Sequence, residues 1–213
     1  MTLTGITGAG KSTLLRLLNR LSEPTNGQVL LAGADYRSIS PITLRQRVML
    51  VSQTPQLLGM NVREGLAYPL QLQSLDGAEI KQRIMTIADQ FEIPTDWFDR
   101  NHLQLSVGQK QIVSIARGMI TQPQVLLLDE PIASLDASTA ARILTAIDII
   151  CRSQQIGIIM VNHQLELAAR FSDRLLYLQD GKLSIDELST AVDWQNLQQQ
   201  ICESEDRSIS EWD

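Results

Sequence analysis

The chain is poor in the residues that staple small secreted domains or build metal centres: two cysteines, two histidines and 4% aromatics in 213 residues. Cys151 and Cys202 stand in neither a metal-ligand spacing nor a redox pair. That excludes a disulfide framework and fits idle thiols in a reducing compartment. No apolar run approaches the ~18 residues a membrane-spanning helix needs. No signal peptide precedes the first motif, so the expectation is a chain that stays in the cytosol and works at a membrane only through a partner. A basic stripe is missing too. Residues 184–213 carry eight acidic residues and one basic one, whereas the remainder carries 17 basic and 16 acidic. The net charge of −6 is therefore a property of the tail, and a neutral body argues against a nucleic-acid partner. What remains is ordinary globular material, 44% apolar, enough for one domain with a small subdomain.

Against these absences one stretch stands out. Residues 5–13 read Gly-Ile-Thr-Gly-Ala-Gly-Lys-Ser-Thr, the spacing of a phosphate-binding loop. Gly5, Gly8 and Gly10, with Thr7 and Ala9 between them, let consecutive backbone N–H groups curl around phosphate oxygens. Lys11 supplies a point charge, Ser12 a hydroxyl for Mg²⁺, and Thr13 reaches deeper towards the α-phosphate. Leucines 14, 15, 17, 18 and 21 follow at helical spacing, so a helix opens with its positive end on the anion. Only Met1 to Thr4 precede the loop, short for a buried strand, which reads as a missing upstream segment.

Along the chain, turn residues at 22–27 lead to a short strand over Gln28–Ala32 and a turn over Gly33–Ser40. Val48–Val51 predicts a buried strand. Residues from about 56 to 120 turn helical, with Ile80, Ile84, Ile87 and Phe91 on one face, which reads as a helical subdomain inserted in an α/β body. Val125–Leu128, Ile156–Val161 and Leu175–Leu178 predict further buried strands, and Ala140, Ile143, Leu144, Ile147 and Ile150 a helical face. Short apolar runs separated by helices give an α/β fold, a mostly parallel sheet flanked by helices. The domain is expected over 1–183. An acidic tail follows over 184–213, with a weak helix around Ala191–Ile201.

Three further segments carry chemistry. Asp129 and Glu130 end an apolar run, where a carboxylate can assist Mg²⁺ and its neighbour polarise water. Ser106, in Leu-Ser-Val-Gly-Gln, stands at the N-cap of an apolar helix and makes a second helix end aimed at an anion. His163 follows the strand that ends at Val161.

In order, the phosphate loop, Gln53, Leu-Ser-x-Gly-Gln, Leu-Leu-Leu-Asp-Glu, Ser134-Leu135-Asp136 and His163 resemble the ATP-binding-cassette ATPases, from Gly5 to about Leu183. The resemblance implies a phosphate-loop NTPase-type sheet with a partial antiparallel β edge, and a head-to-tail dimer trapping ATP and Mg²⁺ between copies. It makes Glu130 the catalytic base, with His163 and Gln53 in the catalytic set. Ser12, Gln53 and Asp129 then serve the metal. Ser106, Gly108 and Gln109 belong to the site completed in trans, and Asp136 couples the two sites. It also implies an ATPase bound to a separate membrane permease at the cytoplasmic face of the cell membrane. The alternatives are a soluble non-transport cassette and a hydrolysis-deficient regulatory one. Val107 departs from the family's first signature glycine, and an early strand with an adenine-stacking aromatic residue is missing before the loop. Leu57, Leu58 and Met60 fit either core or the groove that receives a permease helix. His102 reads as a solvated loop residue, and Trp97, Trp194 and Trp212 as packing.

Overall fold

The computed structural model describes residues 1–201; Cys202, Trp212 and the remaining acidic stretch lie outside the described residues. β1 (Thr2–Thr4) runs buried into the glycine loop, and α1 (Lys11–Leu18) leaves it. A short hairpin of β2 (Leu30–Leu31) and β3 (Ala34–Asp35) leads to α2 (Pro41–Arg47) and β4 (Val48–Val51). Between residues 56 and 120 lie α3 (Val62–Leu72), α4 (Gly77–Gln90) and α5 (Val107–Met119). Then come β5 (Val125–Asp129), α6 (Ala137–Gln154), β6 (Gly157–Val161), α7 (Leu165–Phe171), β7 (Arg174–Gln179) and β8 (Lys182–Leu188).

The strands form a six-stranded sheet in the order β4-β5-β6-β1-β7-β8, parallel except for β8 at the edge. Alternation along each strand divides the core. Leu126, Leu128 and Met160 face α5 and α6 in one apolar cluster, while Leu3, Leu127, Val161 and Leu178 face α1 in another. Covering both faces is what lets these strands be continuous apolar runs. The five apolar positions expected on one helical face are all buried on α6.

Two local features differ from the sequence reading. Ala32 (φ 51) and Gly33 (φ 82) make a two-residue left-handed turn, so the stretch read as turn after Gly33 contains the second strand of a hairpin. The same device, Asp180 (φ 49) and Gly181 (φ 73), folds β8 back onto β7. β8 is exposed along most of its length, so it carries no apolar signal. Its residues 184–188 belong to the stretch expected as the acidic tail. Arg174 Nη2 on β7 holds it by donating to Asp186 Oδ2 at 2.8 Å. Beyond it a helical segment, residues 194–201, packs Trp194 and Leu197 on Leu175 and Tyr177.

Leu57 is 2% exposed and belongs to the core under α3, so of its two readings the structure selects core. Leu58 is exposed. A largely apolar cleft of about 770 Å³ lies elsewhere, between α1, α2 and α3, with Leu21, Ile42 and Leu72 and also Arg16 and Arg45 in its lining. Trp97 packs against the core, as expected. His102 sits in a short 3-10 turn, half-buried, with its Nδ1 shielded and without a hydrogen-bond partner among the described residues, so it is not a freely solvated loop residue.

Candidate functional site

The site lies at the carboxyl ends of four neighbouring parallel strands, where open α/β sheets collect their ligands. Register decides which side chains meet. Val51 pairs with Leu128, Asp129 with Val161, and Leu3 with Val161. The next residues of those strands, carrying Gln53, Glu130, His163 and the loop after Thr4, therefore leave the sheet side by side.

The loop is pinned before α1 begins. A Cβ on Gly5 would lie 2.1 Å from Leu178 O, so only glycine lets the loop pass this close to β7. The Ala9 carbonyl accepts from Gly181 N–H at 3.2 Å, fixing the loop to the β7–β8 turn. Gly10, at φ 100, caps α1 in the left-handed region. Lys11 is 6% exposed, and its Nζ donates to Gly5 O and Ile6 O at 2.8 Å each. At the other end of α1 the buried Asn19 donates to Val48 O at 2.5 Å, tying the helix to β4.

Across the cleft, Ser12 Oγ donates to Asp129 Oδ1 at 3.2 Å. Glu130 is held from both sides: Gln53 Nε2 donates to Oε2 at 2.9 Å, and His163 Nε2 lies 3.1 Å from Oε1. Its backbone N–H donates to Val161 O at 3.2 Å, and its φ of 48 is left-handed. A left-handed residue with a side chain costs roughly 1–2 kcal/mol, which strand pairing and three hydrogen bonds here sustain. Thr7, Gly8, Gly10, Lys11, Ser12, Thr13, Gln53, Glu130 and His163 line one cleft of about 660 Å³.

The remaining expected residues stand outside that cleft. Ser106 caps α5 in a reciprocal box: its Oγ accepts from Gln109 N–H at 3.2 Å, and Gln109 Oε1 accepts from Ser106 N–H at 2.9 Å. Ser106 and Val107 are exposed, and Gly108 packs against the loop after Glu130, where a Cβ would come within 3.1 Å of Leu135 Cδ2. Asp136 caps α6; the Thr139 backbone N–H, then the Ser138 hydroxyl, hold its carboxyl far below the usual range.

Asn162 escaped the sequence reading. It lies between Val161 and His163 and is 3% exposed, with Oδ1 accepting from Gln164 N–H at 3.0 Å. The signal was an Asn directly before His163, since Asn favours such turns.

The fold agrees with that of known proteins. Residues 1–133 match the family model described as "ABC transporter". A methionine import ATP-binding protein of Xanthomonas campestris is 38% identical over 183 residues, covering 84% of this chain and 54% of that protein. One of Photorhabdus laumondii is 36% identical over 192 residues, covering 88% and 56%. The chain thus spans about half the length of the curated relatives it matches. Among solved structures, a dimeric ATP-binding cassette in a post-hydrolysis state with ADP and Pi superposes with a TM-score of 0.81 at 26% identity. It covers 88% of this chain and 84% of its own. The cbiO1 component of a Clostridium perfringens ABC transporter complex gives 0.79 at 25% identity, over 89% and 77%. The architecture is the phosphate-loop NTPase type of these cassettes.

Proposed function

We propose, from the premise that this chain belongs to the ABC transporter family, that it binds and hydrolyses ATP as the motor subunit of a transporter. The observation that carries this is Glu130, clasped by Gln53 and His163 across the cleft from the lysine-bearing loop. In this reading the loop N–H groups and Lys11 hold the phosphates, and Glu130 accepts the proton of the attacking water. Gln53 and His163 fix the carboxylate so that its position costs no reorganisation at the moment of reaction.

Mg²⁺ fits the donor set. Ser12 Oγ and Asp129 Oδ1 are hard oxygen atoms 3.2 Å apart at the loop, and this ion takes few protein ligands when phosphates complete its shell. Ser12 and Asp129, with Gln53, would hold it, and it would neutralise charge on the phosphate oxygens.

Ser106, Gly108 and Gln109 then serve a second copy. A capped α5 end, exposed in one protomer, offers its N–H groups to a nucleotide bound by the partner's loop, in a head-to-tail dimer. Asp136 lies on the loop that links the two sites. We assign residues 1–183 to the ATPase domain, with a helical subdomain over about 56–120, and 184–213 to an acidic tail whose residues 184–188 complete β8. The cleft lined by Leu21, Ile42 and Leu72 is apolar and has no acidic lining residue, so it suits a helix of the permease. That partner would hold the chain at the cytoplasmic face of the membrane. Since the curated relatives are named for methionine import, methionine is the first substrate to try in transport assays.

The test is phosphate release with Mg-ATP. Glu130→Gln should bind ATP as the wild type does and lose ~100-fold or more in turnover. Lys11→Ala should lose nucleotide affinity. A Glu130→Gln variant as active as the wild type would overturn the assignment.

A further inference from the structure

We propose that Asn162 is a positioning residue that sets the orientation of His163 towards Glu130; this rests on the reading of Glu130 and His163 as the catalytic pair.

The two bonds that hold Glu130 on this side come from residues flanking Asn162. Val161 O accepts the Glu130 backbone N–H at 3.2 Å, and His163 Nε2 lies 3.1 Å from the Glu130 carboxylate. The His163 side chain is 38% exposed, so surrounding packing does not fix the ring. Its direction is inherited from the backbone, and Asn162 governs that backbone at two points. Its N–H donates to Leu3 O at 3.2 Å, anchoring the strand end to β1. Its Oδ1 takes the Gln164 N–H at 3.0 Å, closing a side-chain turn around His163.

A second feature separates this residue from a generic turn former. Asn162 is 3% exposed, and its Nδ2 is shielded from solvent without an acceptor among the described residues. A buried amide donor left unpaired is expensive, and such groups call for a reason beyond folding. Threonine would close the turn more weakly and leave no spare amide. Asparagine therefore trades stability for the stronger hold on the turn that carries His163.

The chain has only two histidines, His102 and His163, so the imidazole NMR signals can be assigned by comparison with His163→Ala. That readout does not need turnover. In Asn162→Leu the His163 signals should shift or broaden while those of His102 stay in place, and Asn162→Thr should restore most of the shift. In the ATPase assay, Asn162→Leu should lower kcat ~10-fold with the KM for ATP within ~2-fold, because an interaction made in the transition state is lost. In a His163→Ala background the same substitution should change kcat by less than ~2-fold, since residues acting through one another are not additive.

Unchanged His163 signals in Asn162→Leu, or an equal loss of kcat with and without His163, would overturn the proposal. If Asn162→Leu does not fold, Asn162→Ala, which also removes the side-chain acceptor, decides by the same signals, with a shift expected and none overturning the proposal. A wild type without ATPase activity would overturn the catalytic reading alone and leave the NMR outcome to judge Asn162.

Discussion

Asp136 carries the clearest electrostatic signature among the proposed site residues. Its carboxylate accepts from the Thr139 and Ser138 backbone N–H groups and the Ser138 hydroxyl, and these donors favour the charged form. A carboxylate depressed in this way adds stability that is fully present above its unfolded pKa and is lost as pH falls through the folded value. The melting temperature of the wild type should therefore approach that of Asp136→Asn as pH is lowered below about 4. A gap independent of pH across that window would mean that the cap does not titrate. At this scale the motif residues were legible because each needs a fixed chemistry: Lys11, Ser12 and Glu130 are named by their order in the chain. The left-handed backbone of Glu130 and the shielded amide of Asn162 were not. They depend on which strand end lies alongside, and β6 reaches β1 from over 150 residues away in sequence.

Among the elements, α5 joins the exposed cap to the sheet that carries Glu130. Ser106 caps the helix start, and in its last turn Gly118 lies against β4, where an added Cβ would lie 2.7 Å from Val51 Cγ2. Val51 stands two residues before Gln53, so the helix sets the height at which Gln53 leaves the sheet. Gly118→Ala should cost ~1–3 kcal/mol by overpacking, read by urea denaturation, and should weaken the Gln53–Glu130 contact with a loss of turnover. Unchanged stability would show that β4 yields freely at this seam. β4, β5, β6 and the buried face of α6 were legible because continuous apolar runs and helical spacing reflect cover on both sides. β8 was not, since an exposed edge strand has nothing to bury, and its register comes from the left-handed turn at Asp180-Gly181. The α2 helix was missed as well, though Ser40 accepts from Thr43 N–H and Pro41 starts the first turn, a cap that the short segment hid.

For the molecule as a whole, the sheet gathers the phosphate-loop cleft at its carboxyl edge, while the α5 cap, proposed to complete a partner's site, stands exposed outside that cleft. The apolar cleft between α1, α2 and α3 is a separate surface. Leu72, 62% exposed there, can be changed to Glu without touching the nucleotide residues. Leu72→Glu should keep basal ATP turnover and move the chain from the membrane fraction to the soluble fraction of cells. Retention in membranes would assign the permease contact to another face. The order of the motifs carried the expectation of a paired site, but not the place of this cleft, because its walls form only where α1, α2 and α3 pack together. The most direct test of the shared nucleotide site is the mass of Glu130→Gln in solution with Mg-ATP, measured by light scattering. The monomer of 23.8 kDa should double in mass with ATP and return to 23.8 kDa with ADP, and Ser106→Arg in the same background should abolish the doubling. A Glu130→Gln chain that binds ATP yet stays monomeric at every concentration, or dimerises equally well with Ser106→Arg, would contradict a site built from two copies.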